Sequence, residues 1–292
     1  MGIFSHSYDK PGPGVDPNAP QKRSFFRFFE IFWRKFSKFF QAGLIYSLFL
    51  IPTFIIMFMV STVVVGRIAE LVGVFELEEM TTIFLLGGLA FVNLLIATWG
   101  AGPATAGITY IMLCFSKEEH AWVWSDFKDK VKENFKQAVA VFVIDLAMML
   151  LFYVAIIYYS GMGGMFGALK YVVYFIILIY TMMHFYIYPL MVTFKLPLGA
   201  IYKNSLLFAV AKLPSNIFVL IIHLIIHVGL QALALLYGGR HSGVILMGLY
   251  LLEIVLFQAF SAYLTAFGTY PKMKKYMLDV AEDRNAASGD EE

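Results

Sequence analysis

The stretch AVAVFVIDLAMMLLFYVAIIY, residues 138–158, decides the fold class of this chain. It is apolar from end to end except for Asp145. A helical run of about 20 such residues crosses the hydrocarbon core of a bilayer. Five more runs of this kind occur, at 44–65, 83–98, 169–192, 217–237 and 244–267. The basic residues between them alternate by loop. Nineteen of the 22 Lys and Arg residues fall in the N-terminal arm, the second and fourth loops and the C-terminal tail. Only Arg67, Lys170 and Arg240 fall in the first, third and fifth loops. Because Lys and Arg are retained on the cytoplasmic side during insertion, this pattern predicts an all-α polytopic membrane protein. It has six transmembrane helices and both termini in the cytoplasm.

Composition agrees. Of 292 residues, 60% are hydrophobic and 14% charged, against about a quarter charged in soluble domains. A net charge of +2 is too small to imply nucleic acid, so the expected partner is the lipid bilayer. The single cysteine, Cys114, permits no disulfide within the chain and reads as a small apolar packing residue. Four regions follow: a disordered polar tail at 1–22, an amphipathic helix at 23–41, the six-helix domain at 42–275, and an acidic tail at 276–292.

The segments between spans are themselves patterned. Residues 25–40 read FFRFFEIFWRKFSKFF. Arg23, Arg27, Glu30, Arg34 and Lys38 recur near the helical period, with Phe25, Phe29, Phe32, Phe36 and Phe39 opposite them. Such a helix lies in the membrane interface, rings in the headgroup boundary and cations toward anionic lipid; docking on a partner protein is the other reading. In the second loop Trp124, Phe127, Val131 and Phe135 share one helical face, and Ser125 stands as a plausible N-cap. Gly102, Pro103 and Gly107 break the second span where it leaves the membrane, since Pro103 lacks a backbone donor. Such a break serves as a structural elbow or as a gate for a substrate or partner.

Several of these motifs resemble the YesL-like membrane proteins of Gram-positive bacteria. They are Gly102-Pro103-Ala104-Thr105-Ala106-Gly107; Glu118-Glu119-His120-Ala121-Trp122-Val123-Trp124-Ser125-Asp126-Phe127; Lys132-Glu133-Asn134-Phe135-Lys136-Gln137; and Lys203-Asn204-Ser205 with Leu213-Pro214. The resemblance spans roughly residues 25 to 275. It implies location in a bacterial cell membrane and a role beside carbohydrate ABC importers, with the importer's permease subunits as partners. It supplies no catalytic residues and no cofactor. It marks Gly102, Pro103, Gly107, Trp124, Asp126, Asn134 and Asn204 as candidate elbow or partner-contact positions.

Ionisable residues inside spans are the strongest functional candidates, because burying them in a membrane is costly. Five qualify: Asp145, His184, His223, His227 and Glu253. His223 and His227 share a helix face that Asn216 and Gln231 extend, so this stripe must point into the bundle. The cluster holds the bundle by hydrogen bonds, handles a solute or protons, or binds a metal through the His pair completed by Asp145 or Glu253. His223-Leu-Ile-Ile-His227 lacks the glutamate of a zincin motif, and no Walker A or G-x-S-x-G sequence occurs. The expectation is therefore a non-enzymatic accessory protein of carbohydrate uptake without its own ATPase. The alternative is a small-solute or proton-coupled transporter built on the polar cluster.

Overall fold

The structure, a computed structural model, describes residues 23–72 and 88–278. The two tails, most of the first external loop and the start of the second apolar run lie outside the described residues. Among the described residues the chain is helical with no strand. Its helices are α1 (Ser24–Arg34), α2 (Phe36–Val72), α3 (Gly88–Trp99), α4 (Pro103–Ser116), α5 (Val123–Glu133) and α6 (Phe135–Ser160). They continue as α7 (Gly164–Thr193), α8 (Leu198–Ala211), α9 (Leu213–Tyr237) and α10 (Gly239–Leu278). Five helices, α2, α6, α7, α9 and α10, are long and apolar enough to cross a membrane, and α3 with α4, bent by 61° at their break, forms either a sixth, broken span or a re-entrant pair. This is a multi-pass membrane protein.

The bent pair departs most from the sequence reading. Gly102-Pro103 falls between two short helices rather than after one long one. It starts α4, with Pro103 in the first turn, where a missing N–H is harmless. From Ala104 to Ser116 every residue except Tyr110 is buried, and α4 packs against α2, α5, α6, α7 and α10. The helix is too short to register as a span, yet it is the hub of the bundle. The joint depends on glycine: Gly100 and Gly102 have φ of +85° and +71°, a left-handed region other residues enter only at a cost. A Cβ on Gly100 would sit 2.6 Å from the Tyr188 ring, and one on Gly107 2.7 Å from the Phe127 ring.

The four basic segments gather at one end. Arg27 and Arg34 of α1 both bind Glu118, between α4 and α5. Lys35 donates to the Glu119 carbonyl at 2.8 Å, and the Lys117 ammonium lies over the Tyr270 ring. Gln137 donates to the Leu196 carbonyl before α8, and Lys212 reaches the Tyr276 hydroxyl near the end of α10. Helix α1 stops at Arg34, so the aromatic residues after Lys35 belong to α2. Phe28, Ile31 and Phe32 are buried, with Phe28 stacked on Tyr263 at 4.7 Å. Phe25, Phe26 and Trp33 are more than 60% exposed. The helix therefore has three faces (docked, cationic and free) rather than the two its periodicity implies.

Candidate functional site

All five ionisable residues read from the spans are buried, none more than 2% exposed. They form two pairs rather than one cluster. In the first, α6 and α7 bring Asp145 Oδ1 to 3.0 Å from His184 Nε2. That is close enough for a charge contact but is not aligned as a hydrogen bond, since neither ring nitrogen of His184 has such a partner in the protein. The Tyr180 hydroxyl, one turn before His184, donates to Asp145 Oδ1 at 2.7 Å. Trp99, the last residue of α3, stacks on the His184 ring at 5.6 Å and donates its indole N–H to Thr181. Tyr202 on α8 faces the same carboxylate: burial first, and then the Asp145 charge, pushes its phenol up.

The second pair joins α9 to α10. His227 Nδ1 lies 2.8 Å from Glu253 Oε2, and His227 Nε2 lies 2.7 Å from Ser261 Oγ. Gln231 donates to the other carboxylate oxygen at 3.3 Å, and the Tyr250 hydroxyl donates to Gln231. Each helix widens into a π-type turn at its member of the pair, Ile225–Gly229 on α9 and Glu253–Phe257 on α10. Single π turns inside α-helices recur at functional sites. His223 stands between the pairs: its ring stacks on Phe185 at 5.4 Å and on His227 at 6.1 Å, with Nδ1 on the Val219 carbonyl. Asn216, at the far end of the stripe, accepts from Tyr186 and donates to the Phe208 and Ala209 carbonyls.

The His223–His227 pair is not joined by both acids, since Asp145 lies with His184 and Glu253 with His227. Among the described residues no three His, Cys, Asp or Glu side chains converge on a point where an ion could sit.

The positions marked by resemblance serve several purposes. The Gly102 amide donates to the Tyr188 hydroxyl, and Thr105, beside Pro103, binds both the Ala101 amide and the Tyr46 hydroxyl. Gly107 clears the Phe127 ring. Asp126, rather than Ser125, receives the Trp122 amide at the start of α5. Asn134 is buried at the α5–α6 joint, donating to the Lys130 carbonyl. Asn204 is half-buried on α8. Trp124 is 52% exposed.

A groove of about 430 Å³ runs between α2, α3 and α10. Its rim includes the exposed Leu48, Ile51, Ile55 and Ile254, and its lining includes Asn93, Glu253 and Gln258. Asn93 and Gln258 are uncharged polar residues within apolar runs, and a search confined to ionisable groups passes over them. Tyr180 and Trp99 give no such signal, since aromatic residues in spans are ordinarily packing.

Residues 81–156, from the approach to α3 through the elbow to Asp145 and most of α6, match a family model described as a protein of unknown function, DUF624, a family of uncharacterised bacterial membrane proteins. No curated protein and no solved structure matches the chain.

Proposed function

We propose that this chain is a proton-coupled transporter of a small solute in the bacterial cell membrane. Asp145–His184 and His227–Glu253 are its protonation sites. One observation carries the reading: two carboxylate–imidazole pairs lie fully buried in membrane-spanning helices. Hydrogen bonds within a membrane bundle stabilise it only modestly, on average about 0.6 kcal/mol each. Uncharged residues supply them without the desolvation that acid and imidazole impose, so a purely structural role leaves the choice of residues unexplained. Imidazole changes charge between about pH 5 and 8, and a neighbouring carboxylate offsets the charge gained with the proton. Each pair is thus able to take up and release a proton inside the bundle. The groove beside Glu253 supports an approach of solute to the second pair from the side of the bundle.

The test is proton flux into liposomes that enclose a pH-sensitive dye, driven by an imposed gradient. Wild-type protein is expected to acidify the lumen. Asp145→Asn and Glu253→Gln keep size and most hydrogen bonding, and each is expected to lower the flux at least tenfold in protein that purifies normally. Full flux in both variants would overturn the reading.

The role beside a carbohydrate importer, implied by the YesL-like resemblance, is the second reading. It is supported by Trp33, Trp122 and Trp124, which stand more than half exposed at the basic end. Retention of importer subunits through gentle purification favours it, as does their loss on Trp122→Ser with Trp124→Ser.

A further inference from the structure

A small, partly open cavity of about 30 Å³ lies at the inner side of the α3–α4 elbow, lined by Tyr46, Thr105, Thr109, His184, Gln258 and Thr265 among others. Its lining brings together polar atoms that the protein leaves unpaired. His184 Nδ1, Gln258 Oε1 and Thr265 Oγ1 are all buried without a hydrogen-bond partner in the chain. The neighbours of Gln258 and His184 bear on which of their atoms face the cavity. Gln258 Nε2 donates to the Asn93 carbonyl at 3.1 Å and to its side-chain oxygen at 3.3 Å. Both are acceptors, so the amide cannot be reversed and Oε1 is left free. Asp145 lies against His184 Nε2, which favours the proton on that nitrogen and leaves Nδ1 a bare acceptor. The site thus offers two acceptors, Nδ1 and Oε1, and one hydroxyl able to donate. A molecule with two donor hydrogens and one acceptor lone pair satisfies all three.

We propose that this cavity binds a single water molecule that serves His184 in both of its protonation states. The volume admits one water, which needs about 10–15 Å³ of this measure and two to four polar partners. With His184 neutral, the water donates to Nδ1 and to Gln258 Oε1 and accepts from Thr265. When Nδ1 gains a proton, the water turns, accepts from Nδ1–H, and donates to Oε1 and Thr265. The titratable groups around the pair are Asp145 on α6, Tyr180 and Tyr188 on α7, Tyr46 on α2 and Tyr202 on α8. Helices α3, α4 and α10 present Trp99, Thr105, Thr109, Gln258 and Thr265 there, none of which titrates. A water held at this site gives the His184 ring a hydrogen-bond partner that the protein itself does not supply. The proton-handling part of the proposal rests on the transporter reading; the water site itself does not.

The test uses the full chain, labelled with ¹⁵N-histidine, in lipid nanodiscs. His184 is assigned by loss of its signal in His184→Gln. Magnetisation transfer from water protons to His184 Nδ1 is expected in wild type and in Thr265→Ser. Thr265→Val keeps shape and is expected to weaken the transfer several-fold. Adding Gln258→Leu, which removes the second of the three proposed partners, is expected to abolish it. No transfer in wild type, or equal transfer in Thr265→Val, would overturn the water site. The flux assay separates the two ideas. Loss of flux in Asp145→Asn with no water transfer in wild type leaves the transporter reading standing and removes the site. Full flux in both Asp145→Asn and Glu253→Gln with the expected transfer pattern does the reverse.

Discussion

Glu253 shows how the membrane interior constrains single residues. Its two carboxylate oxygens meet His227 and Gln231, and nothing on α10 alone accounts for its presence. Removing one member of a buried ion pair strands the other, at a cost of about 3–5 kcal/mol, whereas replacing both with apolar residues is often neutral. His227→Leu is therefore expected to lower the unfolding temperature in detergent more than His227→Leu combined with Glu253→Met. The opposite order would mean that the pair is not coupled. Gly43 poses a different constraint, since a Cβ there would lie 1.9 Å from the Val255 carbonyl oxygen, at the point where α2 crosses α10. Backbone cannot yield as a side-chain tip does, so Gly43→Ala is expected to force the helices apart and destabilise by about 1–3 kcal/mol or more. The five ionisable positions are legible in sequence because burying a charge is costly whatever the fold. Their pairing is not. Asp145 and His184 lie on different helices, and so do His227 and Glu253, and only packing decides which imidazole meets which acid. Gln258 and Thr265 escape notice for the opposite reason: an uncharged polar group in a span is cheap enough to be common.

Among the elements, α1 and α4 separate what a pattern reveals from what it hides. The long spans are legible because length alone makes them so. Helix α4 is a 14-residue segment behind a Gly-Pro break, and the same break marks an exit from the membrane equally well. Its burial among neighbouring helices is a tertiary fact that no pattern within the segment shows. For α1, the cationic period is visible in sequence, but its target is not. Glu118 adopts a positive φ of 64° and takes both Arg27 and Arg34 on one carboxylate. Hydrogen bonding from Arg34, then from Arg27, holds that carboxyl below its ordinary 4.5 against the opposing effect of burial. A carboxyl whose value is depressed on folding stabilises fully above its unfolded pKa, and the contribution fades as pH falls through the folded value. The latch is thus expected to hold at neutral pH and to loosen only below about pH 4.5. The three side chains are each about a third to a half exposed, so screening keeps the effect near 1 kcal/mol or less. Protease cleavage after Arg27 or Lys38 is expected to accelerate in Glu118→Gln at pH 7, and unchanged cleavage would show that Phe28, Ile31 and Phe32 alone hold the helix.

For the whole molecule, charge asymmetry and connectivity make separate statements that agree. The contacts tie the N-terminal arm, the 117–134 segment, the 194–212 segment and the end of α10 into one basic end. The short α6–α7 connection at Gly161–Gly163 lies on the opposite end, since α6 leaves the basic end and α7 returns to it. The contacts at the basic end put both described ends of the chain on one side. Retention of Lys and Arg in the cytoplasm during insertion predicts that this side is the cytoplasmic one. Cysteine labelling in a Cys114→Ala background tests the assignment directly. Gly163 is suited to it, because a Cβ there meets nothing within 4 Å, and so is Lys132, which is exposed on α5. Gly163→Cys is expected to react with a membrane-impermeant thiol reagent added outside intact cells, and Lys132→Cys only after permeabilisation. The reverse pattern would invert the molecule. It would put the exposed Trp122 and Trp124 outside, where any contact with the importer's permease subunits would have to form on the outer face. The proton-coupled reading would be unaffected, because buried acid–imidazole pairs work in either orientation.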